Sequence, residues 1–386
     1  MNCYITRKFK DELVSIYELN GGNRGDFYKY MASTRYTRDF MNYPEIVNIN
    51  FTDKMRKGIA AALTGINHLK SLSSIDSRTV NVYHILRGAL NFQVSQALNE
   101  AFGYKWHSSS YISSQRVLKE GEFEISEDFY RKFIVPDNAT IYCADIVASG
   151  VSLDNALKYL DAFMDSQEYS IKNFVFFTIG CNEVENILKK WHRHFKEKYP
   201  NYQSTILCYL EGKFALSRAD IPLNNTMPET DLLRSYKLGA LLTPEFEYSQ
   251  FEKVIIALEA CVIYDGGKKG FEPENHIKEL YGFWKKQKRT AGEKNISLWE
   301  EYNARFPLDN YFENIDNLKK GSVEQFKENK KDVWKGVRDG EYRKLYNRFY
   351  MLWDNKRIMR ALKEDSFSQF CLKKLNYLES LQKKLT

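Results

Sequence analysis

No stretch of this sequence stays apolar for the roughly 18 residues a membrane-spanning helix needs, so no span is expected. The N-terminus, Met1-Asn-Cys-Tyr-Ile-Thr-Arg-Lys-Phe-Lys10, lacks the apolar core of a secretory signal. The 6 cysteines stand apart at Cys3, Cys143, Cys181, Cys208, Cys261 and Cys371, with no Cys-x-x-Cys pair. That spacing argues against a zinc site and a disulfide framework, and for reduced buried thiols in a cytoplasmic protein. No internal repeat is evident either.

What is present is ample apolar material. Hydrophobic residues make up 43% of the chain, enough for a real core, and 386 residues leave room for two or three domains. The net charge of +7 is uneven. From Lys268 onward the chain holds 27 Lys and Arg against 18 Asp and Glu, leaving 30 against 32 in the first 267 residues. The positive balance therefore lies in the C-terminal third. It can mark a nucleic-acid or acidic-protein surface, and solvated helices mixing Lys with Glu are the commoner source of it.

Three regions are expected. Residues 1–78 read as a mostly helical extension. Asp11 to Leu19 is read as a short helix ended by Asn20-Gly-Gly-Asn23, and Thr52-Asp53 as the cap of another that uses Met55, Ile59, Leu63 and Ile66. Residues 79–270 read as an α/β domain, because the apolar runs Val80–Leu86, Asn173–Ile179 and Thr205–Leu210 alternate with helical patterns such as Asn182–Lys198. Residues 271–386 read as a basic helical appendage. Its aromatics (Phe283, Trp284, Trp299, Tyr302, Phe306, Trp334, Tyr342, Tyr346, Phe349, Tyr350 and Trp353) fit a core stripe better than a base-stacking platform.

Two strand–turn–helix units carry the chemistry. One is Thr140-Ile-Tyr-Cys-Ala-Asp-Ile-Val-Ala-Ser-Gly-Val-Ser-Leu153: an apolar strand, one carboxylate at Asp145, a small-residue turn and a helix start. Turn N–H groups and a helix N-terminus favour an anion, and Ser149 and Ser152 add hydroxyl donors. The same residues also suit an ordinary buried strand with a Ser-Gly turn. The other unit is Ile85-Leu-Arg-Gly-Ala-Leu90 after the strand Val80–Leu86. In parallel sheets ligands sit beyond the carboxyl ends of the strands, where both turns fall.

The first unit resembles the PRPP-binding motif of type I phosphoribosyltransferases, and the second resembles the pyrophosphate loop of the uracil enzymes with its small pair swapped. The resemblance covers roughly residues 80–212. It implies a phosphoribosyltransferase-like parallel sheet flanked by helices, with the helical C-terminal appendage outside it. Asp145 would hold the ribose hydroxyls. Ala148, Ser149, Gly150, Val151 and Ser152 would cradle the 5′-phosphate. Arg87 and Gly88 would bind pyrophosphate, with Mg²⁺ held mostly by substrate oxygens and water. Arg116 and Lys119 are the cations suited to a loop closing over PRPP. A base-recognising hood would come from Glu211–Arg234 or Ile263–Gly270, with the base unassigned. A homodimer is also implied.

Ala144 stands where the family motif has its first acid, and Ala148 where purine enzymes carry one. Transfer of phosphoribose to a nitrogenous base is one expectation. The other is a non-catalytic nucleotide-sensing or scaffold module whose appendage, residues 271–386, binds a protein or nucleic acid. A hydrolytic or nucleoside-processing relative that uses the same ribose-phosphate cradle is a third.

Overall fold

The computed structural model describes residues 4–19, 25–119, 122–217, 231–234, 238–252, 272–296, 327–328, 330–331, 333–343 and 366–385. The chain opens with three antiparallel strands, β1 (Ile5–Lys10), β2 (Val14–Leu19) and β3 (Phe27–Thr34). Helices α1 (Arg35–Asn42) and α2 (Asn48–Lys70) follow. Then come β4 (Val80–Leu86), α3 (Val94–Phe102), the hairpin β5 (Ser108–Lys119) and β6 (Glu122–Lys132), β7 (Ala139–Val147), α4 (Val151–Ser166), β8 (Ile171–Gly180), α5 (Asn182–Lys198) and β9 (Ser204–Lys213). Beyond them lie β10 (Ala215–Leu216) paired with β11 (Leu232–Leu233), β12 (Leu241–Leu242), α6 (Pro244–Glu252), α7 (Pro273–Glu293), β13 (Trp334–Lys335) and α8 (Ser366–Leu385).

One 11-stranded sheet runs β13-β1-β2-β3-β9-β8-β7-β4-β5-β6, with β12 added on β9. Its middle, β5-β4-β7-β8-β9, is parallel throughout. Counted in chain order, those five strands stand as 2-1-3-4-5, the doubly wound order whose direction of progression reverses between the first and third strands. Here the reversal lies between β4 and β7. Right-handed crossovers in the two directions put α4 and α5 on one face, with α2 and α3 on the other. α4 packs on β4, β5 and α5, while α2 packs on β2, β3 and α3. The mostly parallel, helix-flanked sheet expected from the sequence is present.

The local reasons are visible in burial. β4, β8 and β9 are buried almost end to end, as interior parallel strands are, so they read as continuous apolar runs. In α2, Met55, Ile59, Leu63 and Ile66 all lie wholly inside, on one face at helical spacing. Gly65 lets α2 approach the sheet, because a Cβ there would fall 2.7 Å from Cγ1 of Ile16. Tyr83 donates its hydroxyl to the Ala156 carbonyl at 2.8 Å and so ties α4 to β4.

Ile5–Lys10, Val14–Leu19 and Phe27–Thr34 are strands, and β2 takes the place of the helix expected over Asp11–Leu19. Val14, Ser15, Ile16, Tyr17 and Leu19 are all buried, so β2 shows no polar face to mark it as a strand. β3 pairs in parallel with β9, which builds the N-terminal segment into the same sheet. The cap expected at Thr52-Asp53 is also displaced. α2 begins at Asn48 after Val47, whose side chain makes no cap bond. Thr52 instead bonds the Ile49 carbonyl, and Asp53 pairs with Arg56 and Lys57 along the helix.

In the C-terminal region α7 and α8 pack together, with Trp284 and Phe370 ring centroids 5.5 Å apart. Leu280, Phe283 and Trp284 are buried there, as a core stripe should be. β13 pairs in parallel with β1, and Arg7 bonds Glu341 at 2.6 Å. Trp299, Tyr302, Phe306, Tyr346, Phe349, Tyr350 and Trp353 lie outside the described residues. Among the described residues no helix is long and apolar enough to cross a membrane.

Candidate functional site

The site is built where two neighbouring parallel strands end. Tyr83 of β4 faces Cys143 of β7 across the ladder. Four residues on, Arg87 and Val147 stand at adjacent strand ends, each opening a turn. β7 is fully buried through Ala144 and only half-buried at Asp145 and Ile146, where it leaves the core.

After β7 the chain turns at Ala148-Ser149-Gly150 and enters α4. Gly150 has φ +81°, a left-handed conformation that suits glycine, and a Cβ there would lie 2.2 Å from Cδ1 of Ile187 on α5. No side chain caps α4. Asp154 N–H closes the first helical bond onto the Gly150 carbonyl at 3.0 Å, so the N–H groups just before it are the ones a helix start leaves for an anion. The Ser149 hydroxyl is buried and has no hydrogen-bond partner among the described residues. The Asp154 carboxylate points to α5, accepting from Trp191 Nε1 at 2.7 Å and from Lys190 at 2.9 Å.

The turn is fastened from behind by the end of β8. Thr178 Oγ1 donates to the Asp145 carbonyl (2.9 Å), Cys181 N–H to the Val147 carbonyl (3.3 Å), and Cys181 Sγ to the Ala148 carbonyl (3.1 Å). With these carbonyls held, the backbone of the turn is fixed. Burial raises the Cys181 pKa, so its thiol stays protonated and serves as a donor.

After β4 the Leu86–Arg87 peptide is cis, and Gly88–Phe92 forms a tight 3₁₀ turn closed by Leu90 N–H on the Arg87 carbonyl at 3.1 Å. The Arg87 side chain is exposed and has no ion-pair partner among the described residues. Gly88 meets the other loop directly: a Cβ on it would fall 2.7 Å from Asp145 Oδ1. The two turns therefore touch at the Asp145 carboxylate.

The fold thus brings together Arg87, Gly88, Asp145 and the run Ala148, Ser149, Gly150, Val151 and Ser152. Arg116 sits on a different element. β4 pairs with β5 only as far as Ser113, and Ser114–Lys119 continue as a ribbon paired with β6. At about 3.3 Å per residue the ribbon reaches roughly 20 Å past the end of β4, on the side of the loops, with Arg116 midway. The side chains of residues 114–129 lie outside the described set, as do Glu120 and Gly121.

Of the two candidate hoods, Ile263–Gly270 and residues 218–230 lie outside the described residues. The described ends of Glu211–Arg234 are structural. Arg234 is 1% exposed, donates to the Met41 carbonyl and to Asn42 Oδ1, and stacks over Phe246. Ile187, Thr178 and Cys181 shape the turn between β7 and α4 and escaped the sequence reading. The small residues closing Thr178-Ile-Gly-Cys181, at the end of the next strand, are the only local sign of them.

Among the described residues no group of three or more His, Cys, Asp or Glu could hold a metal ion. Asp145 is a hard oxygen donor at the junction of the loops. A single carboxylate suits a magnesium ion that takes its other oxygens from phosphates and water.

No protein-family model and no curated protein matches the sequence. Solved structures are similar to part of the chain. An adenine phosphoribosyl transferase from Trypanosoma brucei, in complex with AMP, pyrophosphate and ribose-5-phosphate, has 13% identity and a TM-score of 0.30, covering 47% of this chain and 83% of that one. Adenine phosphoribosyltransferase from Leishmania donovani has 10% identity and a TM-score of 0.30, covering 49% and 86%. A hypoxanthine-guanine phosphoribosyltransferase from Bacillus anthracis has 16% identity and a TM-score of 0.22, covering 33% and 67%. At such scores nothing is drawn from them, and the site stands on its own strand order and loops.

Proposed function

We propose that the junction of β4 and β7 binds PRPP or a related ribose phosphate, and that the protein is phosphoribosyltransferase-like. One observation carries this reading. Two anion-suited turns meet at a single carboxylate, at the point where the doubly wound strand order reverses. In this reading the backbone N–H groups of Ser149–Ser152 and the Ser149 hydroxyl take the 5′-phosphate. Asp145 accepts from the ribose hydroxyls. Arg87 and the Gly88 backbone take pyrophosphate, and the exposed guanidinium supplies a two-pronged donor. Magnesium, when bound with the phosphates, would neutralise part of their charge. Arg116 would reach the site from the ribbon.

For transfer, the C1–O bond to pyrophosphate breaks as a base nitrogen bonds C1 and sheds its proton to water. The contribution of the chain is positioning and electrostatic stabilisation of the departing pyrophosphate. The base is left open, including the uracil preference that the Ile85–Leu90 resemblance implies. A second reading rests on Ala144, which is 1% exposed and supplies no second carboxylate. Under it, the same cradle senses a nucleotide without transfer, and the basic appendage holds a protein or nucleic acid. Pyrophosphate release from PRPP and Mg²⁺ across a panel of bases, alongside calorimetric binding, tests both. Release with one base supports transfer. Binding without release supports sensing, and absence of PRPP binding sinks the cradle.

A further inference from the structure

Beside β4, over β5 and β6, lies an open cavity of about 750 Å³, within the size range of small-ligand pockets. It is lined by Arg78, which precedes β4, by the start of β5 and by the end of β6. Arg78 lies roughly 20 Å from Arg87 along β4. The lining on β5 and β6 runs up to Tyr130, level with Leu86 but two strands across, and shares no residue with the β4–β7 junction.

Its lining has an unusual chemistry for a surface. Trp106 is 69% exposed, Ile134 54% and Tyr130 48%, so three large apolar side chains gather around one opening. Two cations, Arg78 and Lys132, stand among them, and among the described residues no Asp or Glu lines the cavity. Neither cation has an ion-pair partner among the described residues. Asp76, close along the chain, accepts the Arg78 backbone N–H at 3.0 Å and forms no ion pair with the Arg78 side chain.

The wall is also fixed in advance. Asn81 donates to Ser108 Oγ (2.9 Å), Ser110 Oγ (3.0 Å) and the Ile134 carbonyl (2.9 Å), locking β4, β5 and the segment after β6 together. The Tyr111 ring is backed by His84, stacked at 4.8 Å and 13°. A pre-formed wall lowers the ordering cost of binding.

We propose that this cavity is a second ligand site, for a mononucleotide, its base stacked on the open aromatic rings and its phosphate on Arg78 and Lys132. Flat aromatic faces take a base of any sequence, and unpaired cations take a phosphate. A polynucleotide would want this pairing of ring and cation repeated along a groove. The cavity offers it once.

Equilibrium dialysis of the full chain with AMP, GMP and UMP tests the proposal, with orthophosphate and a ten-residue oligonucleotide as comparison ligands. Trp106→Ala and the Arg78→Ala/Lys132→Ala pair alter only exposed side chains. Each is expected to weaken mononucleotide binding by about tenfold or more, the size of one lost stacking contact. Asp145→Asn, at the far site, is expected to leave that binding component in place. The proposal is overturned if the cavity variants bind nucleotides as the parent does. It is equally overturned if Asp145→Asn alone abolishes binding, if orthophosphate binds as tightly as AMP, or if the oligonucleotide binds far more tightly than any mononucleotide.

Discussion

Two regions of the same sheet edge treat their polar groups in opposite ways. At the ends of β3 and β9, Glu211 is wholly buried, yet its carboxylate is answered on every side. It accepts from Ser33 Oγ (2.6 Å), Thr34 N–H (2.7 Å), Thr37 Oγ1 and Thr243 Oγ1 (3.2 Å). Thr34 also caps α1 in a reciprocal box with Thr37. At the ends of β4 and β7, Arg87 is exposed, the Ser149 hydroxyl is buried without a partner among the described residues, and α4 starts without a side-chain cap. A saturated buried carboxylate holds elements together, whereas unanswered donors at strand ends await a ligand. Open donors mark the ends of β4 and β7 as the candidate site, whereas the buried acid Glu211 marks a structural one.

The strongest way to break the contrast is Glu211→Leu. It strands four buried donors and should cost about 3–5 kcal/mol, read as a lowered denaturation midpoint. A cost below about 1 kcal/mol would show that the network is not structural. The same residue gives a pH signature. Burial raises the Glu211 pKa, against the pull of Arg38 and the hydroxyl donors. The folded state then keeps its proton longer than the unfolded chain does. The associated stability is complete below the ordinary carboxylate value of about 4.3 and is lost as pH rises through the folded value. Glu211→Gln should remove that slope, and an unaltered stability–pH curve would contradict it.

Next in size is Gly150→Val. Left-handed φ and the 2.2 Å approach to Ile187 both oppose a side chain. The expected stability loss is about 1–3 kcal/mol, together with loss of PRPP binding. A folded variant that binds PRPP like the parent would move the phosphate cradle elsewhere.

How much of this was legible depends on where each residue finds its partner. β4, β7, β8, β9 and α5 could be read from a short window, because their buried faces are continuous apolar runs or a helical stripe. β2 and β3 could not. Lys29 lies mid-strand in β3, and only Glu185, far along the chain at 2.7 Å, explains its burial. Ser15 of β2 is likewise answered by Glu245 at 2.7 Å. The two candidate turns were legible because small residues after an apolar strand are a local signal. That Gly88 abuts Asp145, and Gly150 abuts Ile187, follows only from strand order. The end of the candidate hood Glu211–Arg234 was not legible either: Arg234 is buried, and its partners are the Met41 carbonyl and the Asn42 side chain of α1.

Asp145→Asn probes the junction without rebuilding it. Replacing the charged acceptor should weaken PRPP binding by about 1.5–3 kcal/mol, roughly ten- to a hundredfold, with a smaller effect on stability. Unchanged calorimetric affinity would take the ribose away from Asp145.

The smallest structural effect, and the cleanest test of the contrast, is Arg87→Ala. The side chain is exposed and bonds no acid among the described residues, so its removal should change stability by no more than about 0.5 kcal/mol. If the open donors serve a ligand, the whole consequence appears in binding. Pyrophosphate and PRPP affinity should fall by about 1.5–3 kcal/mol, the worth of a charged hydrogen bond, while affinity for ribose 5-phosphate, which lacks the leaving group, stays near that of the parent. Equal losses for both ligands would assign Arg87 to the 5′-phosphate instead. A large loss of stability with no change in binding would make the β4 turn as structural as Glu211, and the distinction between the two regions would fail.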